Sequence, residues 1–298
     1  NAKMIFTIDI GGTKIAAALF SNDGEIIEKA EVASCIHEDF QSLPGLIYNS
    51  FWHLASKASV VGVASTGIVQ ADAVNYLSVG QSLPLQSVLE KQFNKPVFIL
   101  NDASAAALAE FKALSQKRSI ESNTFVYITV STGIGGGVIQ NGTLITSENG
   151  FCAHLGHVTI PTLKGNIFQC HCGRVNCAES VGSGNAIGKL ATEKFGFPVS
   201  AKQLFTRHLN TQIGQSIIDE AAHAVAQLTA TAKAITGTQI VTLGGSVGVS
   251  PIFSQKVKNA VKSLPEIFHV DVVSPEYSRD ADLYGAYFFA KDSAKEIM

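Results

Sequence analysis

The side chains best suited to chemistry crowd between His154 and Glu179, where the chain carries His154, His157, Cys170, His171, Cys172 and Cys177 ahead of that carboxylate. Two cysteines one residue apart, a third after Gly173, Arg174, Val175 and Asn176, and an upstream histidine make a Cys3His set of the kind that holds zinc tetrahedrally. The chosen set is His157, Cys170, Cys172 and Cys177, with His171 or Cys152 as an alternative for one ligand. Four protein ligands leave no open position, so the expected ion is structural. It would order an otherwise irregular loop and fix where Glu179 points. The plainer alternative is a group of reduced thiols in an apolar loop.

The elements that must position this loop come from a chain of 298 residues, long enough for two domains or one large one. Hydrophobic residues make up 46% and charged ones 15%, yet no uninterrupted run reaches the roughly 18 apolar residues of a membrane span. A formal charge of -2, with Lys and Arg dispersed, gives no footprint for nucleic acid, so a small-molecule partner is expected. Of the five cysteines, three fall between positions 170 and 177, which suits metal binding better than a disulfide framework and favours a reducing compartment. Residues 1–4 enter an apolar strand without a basic n-region, and the expected location is cytoplasmic.

Residues 4–10, 15–20 and 25–27 read as strands, separated by a glycine turn and an Asp-Gly turn. The same order returns roughly 120 residues later: a strand over 124–130, a glycine turn over 131–137, a strand over 138–140, an Asn-Gly hairpin and a strand over 143–145. Repetition of a whole supersecondary unit suggests two similar lobes, with the sites expected in a cleft between them. Strands are also expected over 60–64, 97–100, 240–243 and 270–273, and helices over 103–114, 184–195, 216–236 and 285–291. Alternating strands and helices make an α/β protein.

Three glycine turns follow strands: Gly11 and Gly12, residues 133–137, and residues 244–248. Glycine lets backbone N–H groups close on an anion, which is how phosphates are cradled. Neither a Walker A pattern nor a dinucleotide fingerprint fits, since a strand and hairpin, not a helix, follow Gly133. At a strand end, Asp9 suits magnesium held through water; taken alone it is a turn former. Asp102, between a strand and a helix, reads alone as a cap, yet a carboxylate there also suits a general base for a sugar hydroxyl, and Asn101 offers a donor and an acceptor for another. Glycine loops, magnesium and one carboxylate are nearly all that phosphoryl transfer requires of a protein.

The ordered set of residues 9–14, 65–67, 101–102, 131–137, 156–157, 170–179 and 244–248 resembles the ROK family of sugar kinases and repressors over nearly the whole chain. The resemblance implies the two-lobe, actin-like (ribonuclease H-type) sugar kinase fold with a structural zinc loop held by His157, Cys170, Cys172 and Cys177. Residues 1–117 would form the N-terminal lobe, completed by a C-terminal helix over 283–298, and residues 118–282 the lobe with the zinc loop. It also implies ATP and Mg2+ as cofactors and a homodimer. Asp102 becomes the catalytic base on the sugar 6-hydroxyl, with Ser65, Thr66, Gly67, Asn101, His154, His157 and Glu179 at the sugar. Asp9, Gly11, Gly12, Thr13, Lys14, Thr132, Gly133, Gly244 and Gly245 would serve ATP and its phosphates. Residues 64–68 and the pair His154 and His157 resemble most the members that phosphorylate N-acetylmannosamine in sialic acid catabolism, whereas many ROK glucokinases carry Glu at the place of His154. Glucose, N-acetylglucosamine and fructose are the alternative sugars, and a sugar-sensing protein without catalysis the alternative role. Two departures stand out. Asn176 replaces a common glycine, a change that asparagine's tolerance of positive φ allows, and the segment between Gly67 and Asn101 is short.

Overall fold

The computed structural model describes residues 3–117 and 123–297. Asn1 and Ala2, the expected lobe boundary at 117/118 and the last residue of the expected helix over 283–298 therefore fall partly or wholly outside the described residues. The chain divides into two compact units: Asn1–Gln116 with Ile145–Cys152 and Arg279–Met298, and Lys117–Leu144 with Ala153–Ser278.

In the first unit, β1 (Ile5–Ile10), β2 (Lys14–Phe20) and β3 (Ile26–Ala33) form an antiparallel meander. Helix α1 (Leu43–Ala55) leads to β4 (Val60–Ser65), which lies parallel to β1. Three short strands, β5 (Ile68–Val69), β6 (Val74–Tyr76) and β7 (Gln81–Leu83), make a small separate sheet. Helix α2 (Leu85–Phe93), β8 (Val97–Asn101) and α3 (Asp102–Lys117) follow, giving the main sheet the order β3-β2-β1-β4-β8.

The second unit begins with β9 (Phe125–Val130), β10 (Ile134–Gln140) and β11 (Thr143–Leu144). After the metal loop come α4 (Ala178–Gly182), α5 (Gly184–Phe195), α6 (Ala201–Arg207), α7 (Gln212–Thr236), β12 (Ile240–Gly244), α8 (Pro251–Lys262) and β13 (Asp271–Val273). The sheet order β11-β10-β9-β12-β13 repeats that of the first unit, with the same antiparallel meander and the same two parallel additions. The internal repeat read from the glycine turns is thus a repeat of topology. The last helix, α9 (Ala281–Ile297), returns to the first unit.

Strand alternation then decides what faces what. Phe6, Ile8 and Ile10 of β1 join Phe51, Leu54 and Phe93 in one core. Ile5 joins Leu283, Tyr287 and Ala290 of α9 in the core on the other face. With a side-chain period of two, Asp9 shares the face of Ile5 and so looks toward α9.

Several sequence expectations shift, among them the start of α7, at Gln212 and not at residue 216. Gly135, Gly136 and Gly137 lie within β10 and not in the turn before it, and Gly136 has no room for a side chain, which would collide with Leu155 and the Tyr127 carbonyl. Strand β3 runs on to Ala33 with alternating exposure, its polar outward residues having hidden it. Helix α9 starts a turn earlier than residue 285, among acidic residues. Among the described residues no helix is long and apolar enough to cross a membrane.

Candidate active site

In the first unit the ends of β1, β4 and β8 carry the expected residues. Gly11 N–H donates to the Lys14 carbonyl at 3.0 Å and closes the β1–β2 turn, while Thr66 N–H donates to the Ile10 carbonyl at 3.0 Å and ties β4 to it. Gly67 sits at φ 94°, where a side chain would also meet the Asn75 carbonyl. Asn101 spans two elements. Its Nδ2 donates to the Gly67 carbonyl at 2.8 Å, and its Oδ1 accepts from the N–H groups of Ala103 and Ser104 at 3.0 and 3.3 Å. Asn101, as well as Asp102, thus satisfies the open N-terminus of α3, where Asp102 Oδ1 accepts from Ala103 N–H at 2.9 Å.

Two residues expected at ligands have partners within the chain. Ser65 is fully buried, its Oγ 3.0 Å from the Tyr76 hydroxyl and donating to the Thr66 carbonyl at 2.9 Å. Lys14 pairs with Glu31 at 3.5 Å on an open surface.

Asp9 and Asp102 meet a third carboxyl that the motifs did not reveal, Asp282 in the first turn of α9. Burial, then the charges of Asp9 and Asp102, pushes Asp282 well above the carboxylate range. Asp9 is pushed to about 7, by burial first and then by Asp102, against a hydrogen bond from Asp282 and the charge of Lys14. Burial likewise raises Asp102, against the backbone N–H groups at the start of α3. Buried carboxyls this close cannot all ionise, so Asp9 and Asp282, which share a hydrogen bond, hold a proton between them.

In the second unit the metal loop is clipped to the segment containing His157. Ile160 N–H donates to the Asn176 carbonyl and Ala178 N–H to the Val158 carbonyl, both at 2.9 Å. Arg174 reaches from the loop to the His157 carbonyl at 3.3 Å and to Thr159 Oγ1 at 2.6 Å. Asn176 has φ 59°, as expected from its replacement of glycine, and its Oδ1 accepts from Phe168 N–H at 2.8 Å. These bonds gather His157, Cys170, Cys172 and Cys177, whose ligand atoms all lie within 4.8 Å of one another.

The donor set fits zinc. Cys172 and Cys177 sulfurs are 3.6 Å apart, and Cys170 Sγ is 3.7 Å from His157 Nδ1. Zn–S bonds of about 2.3 Å and Zn–N bonds of about 2.0–2.1 Å give tetrahedral edges of about 3.8 and 3.6 Å. The cysteines are not disulfide-bonded. Burial, then the neighbouring thiols, pushes the Cys177 thiol up to about 12, so its thiolate would form there only with a cation to offset the charge. His171 belongs instead to a second group with His157 and Glu179, and Cys152 to neither.

Glu179, in the first turn of α4, is joined to the glycine turn: its Oε1 accepts from Ile134 N–H at 3.0 Å, and a side chain at Gly133 would strike that oxygen. Ser131 and Thr132 carbonyls accept from Gly184 and Asn185 at the start of α5, at 2.7 and 3.1 Å. Ala153 holds φ 60° directly before His154, a region that costs an alanine energy. At the end of β12, Gly244 packs on Tyr127, and Gly245 takes φ 85° against Val130, whose carbonyl accepts from Val247 and Gly248 at 2.9 and 3.1 Å.

Comparison with known proteins agrees with the resemblance. The model of the ROK family matches residues 5–293. The N-acetylmannosamine kinase of Shigella boydii serotype 18 is 38% identical over 290 residues, covering 95% of this chain and 97% of that protein. The chain belongs to the ROK family. Among solved structures of that family, the ROK hexokinase of Thermus thermophilus superposes with a TM-score of 0.81 at 26% identity, over 98% of this chain and 99% of that one. A ROK glucokinase of Streptomyces griseus in complex with glucose and AMPPNP shares the fold, with a TM-score of 0.76 at 22% identity over 98% and 100%. The ROK motifs give no pointer to Asp282. Its only signal in the sequence is an acidic residue within the run Arg-Asp-Ala-Asp-Leu over 279–283, which reads as solvated surface until α9 is placed on the sheet.

Proposed function

We propose that this ROK protein transfers the γ-phosphoryl group of Mg-ATP to the 6-hydroxyl of N-acetylmannosamine, giving N-acetylmannosamine 6-phosphate and ADP. The observation that carries the proposal is the 38% identity to N-acetylmannosamine kinases over nearly the full length of both chains. Asp102, its basicity raised by burial, takes the proton of the 6-hydroxyl as that oxygen attacks phosphorus. Asn101 presents its remaining Nδ2 proton to a neighbouring hydroxyl, and His154, His157 and Glu179 bind further hydroxyls. Asp9 would hold a magnesium ion through water, and that ion would neutralise charge on the phosphates. The turns at Gly11 to Thr13, Thr132 and Gly133, and Gly244 and Gly245 serve the phosphates and adenosine.

Zinc in the set His157, Cys170, Cys172 and Cys177 has a structural part in this account. Bound there, the ion would order the loop and so fix His157 and Glu179, while its four protein ligands leave no position for substrate.

A coupled ADP-release assay over N-acetylmannosamine, N-acetylglucosamine, glucose, mannose and fructose tests the proposal. The value of kcat/KM is expected to be highest for N-acetylmannosamine, by about a hundredfold or more where a hydrogen-bonded acetamide is missing. Glucose in first place overturns the sugar assignment, and no ADP release with any sugar overturns the kinase.

A further inference from the structure

Beside the Cys3His set, and sharing His157 with it, lies a second donor group: His157, His171 and Glu179, with ligand atoms all within 4.8 Å of one another. His171 Nδ1 is 3.6 Å from Glu179 Oε2, and the rings of His157 and His171 meet edge to face at 5.4 Å between centroids. The other Glu179 oxygen is occupied by Ile134 N–H, so Oε2 is directed to the histidines. The His171 side chain is 68% exposed, which leaves the group open to ions from solvent.

We infer that His157, His171 and Glu179 form a second, inhibitory metal site for late first-row divalent ions such as Zn2+, Co2+ or Ni2+. Two imidazoles and one carboxylate suit these ions, whereas Mg2+ prefers an all-oxygen shell. His157 Nδ1 faces Cys170 in the first set, so the second ion takes Nε2 and displaces that nitrogen's proton to solvent. Three protein ligands with open positions bind more weakly than four, so the site fills only when metal is in excess. Its occupation ties up His157 and Glu179, and on the proposed reading of these two as sugar ligands it competes with sugar.

The experiment starts from protein purified with one tightly bound zinc and counts further Co2+ or Zn2+ bound at equilibrium. The wild type is expected to take a second equivalent, with none of it displaced by millimolar Mg2+. H171N is expected to keep the first ion and the basal ADP-release rate and to lose the second ion along with inhibition by excess zinc. A wild type that stops at one equivalent, or an H171N protein that still takes two, overturns the site. Saturating N-acetylmannosamine should weaken the second ion as much as the ion weakens sugar. A second ion lost in H171N but insensitive to sugar leaves the metal site standing and contradicts the assignment of the sugar ligands instead.

Discussion

Asp282 in the first turn of α9 shares a hydrogen bond with Asp9 at the end of β1, and both carboxyls lie above their ordinary range because they are buried together with Asp102. The unfolded chain releases these protons near pH 4, while the folded chain holds one to about 7 at Asp9 and keeps the Asp282 carboxyl protonated well above its ordinary range. Between those limits the folded state binds more protons, so stability falls as pH rises and the fall ends only above the folded values. Asparagine at position 282 donates from Nδ2 without carrying a titrating proton. D282N should therefore show a flatter decline of Tm from pH 4.5 to 8 than the wild type, measured by thermal unfolding across buffers. Parallel declines would remove the proton from this account.

The approach of Gly133 to Glu179 gives a second expectation. A methyl group at position 133 meets Glu179 Oε1 and drives the carboxylate off Ile134 N–H. G133A should raise the sugar KM by about 10- to 100-fold, in line with a lost charged hydrogen bond of about 1.5–3 kcal/mol. Steady-state kinetics with sugar and ATP varied separately check it, and an unchanged sugar KM would contradict the coupling.

Chelation tests the support assigned to the zinc loop. Removing the ion leaves crowded thiols and frees His157 from Cys170, so stability and sugar affinity should fall together. A loss of 1 kcal/mol lowers Tm by about 2–4 °C in a domain of this size, so a drop of several degrees is expected by thermal unfolding. Calorimetry should show the loss of sugar binding in the same sample. Metal-free protein with full sugar affinity would contradict the supporting role.

The strand-ending glycines, Asp102 and the Cys-x-Cys spacing were readable from sequence because each is local: a turn, a strand end, a loop of ligands. The repeat of those local units also carried the topology of both sheets. What was not readable depends on distant segments. Asp282 gains meaning only when α9 packs against β1, more than 270 positions away in the chain. The burial of Ser65 follows from Tyr76 on a strand too short to read, and the glycines of β10 looked like a turn because close packing by Leu155 and turn formation call for the same residue.

The central claim is that Asp102 is the base that takes the sugar proton, and D102N tests it most directly. Asparagine keeps the shape and can still accept from Ala103 N–H, while it cannot take a proton. With N-acetylmannosamine and Mg-ATP, kcat should fall by about 10²–10⁴-fold while calorimetric sugar affinity stays within about threefold of the wild type. A D102N protein that turns over at near the normal rate would contradict the account.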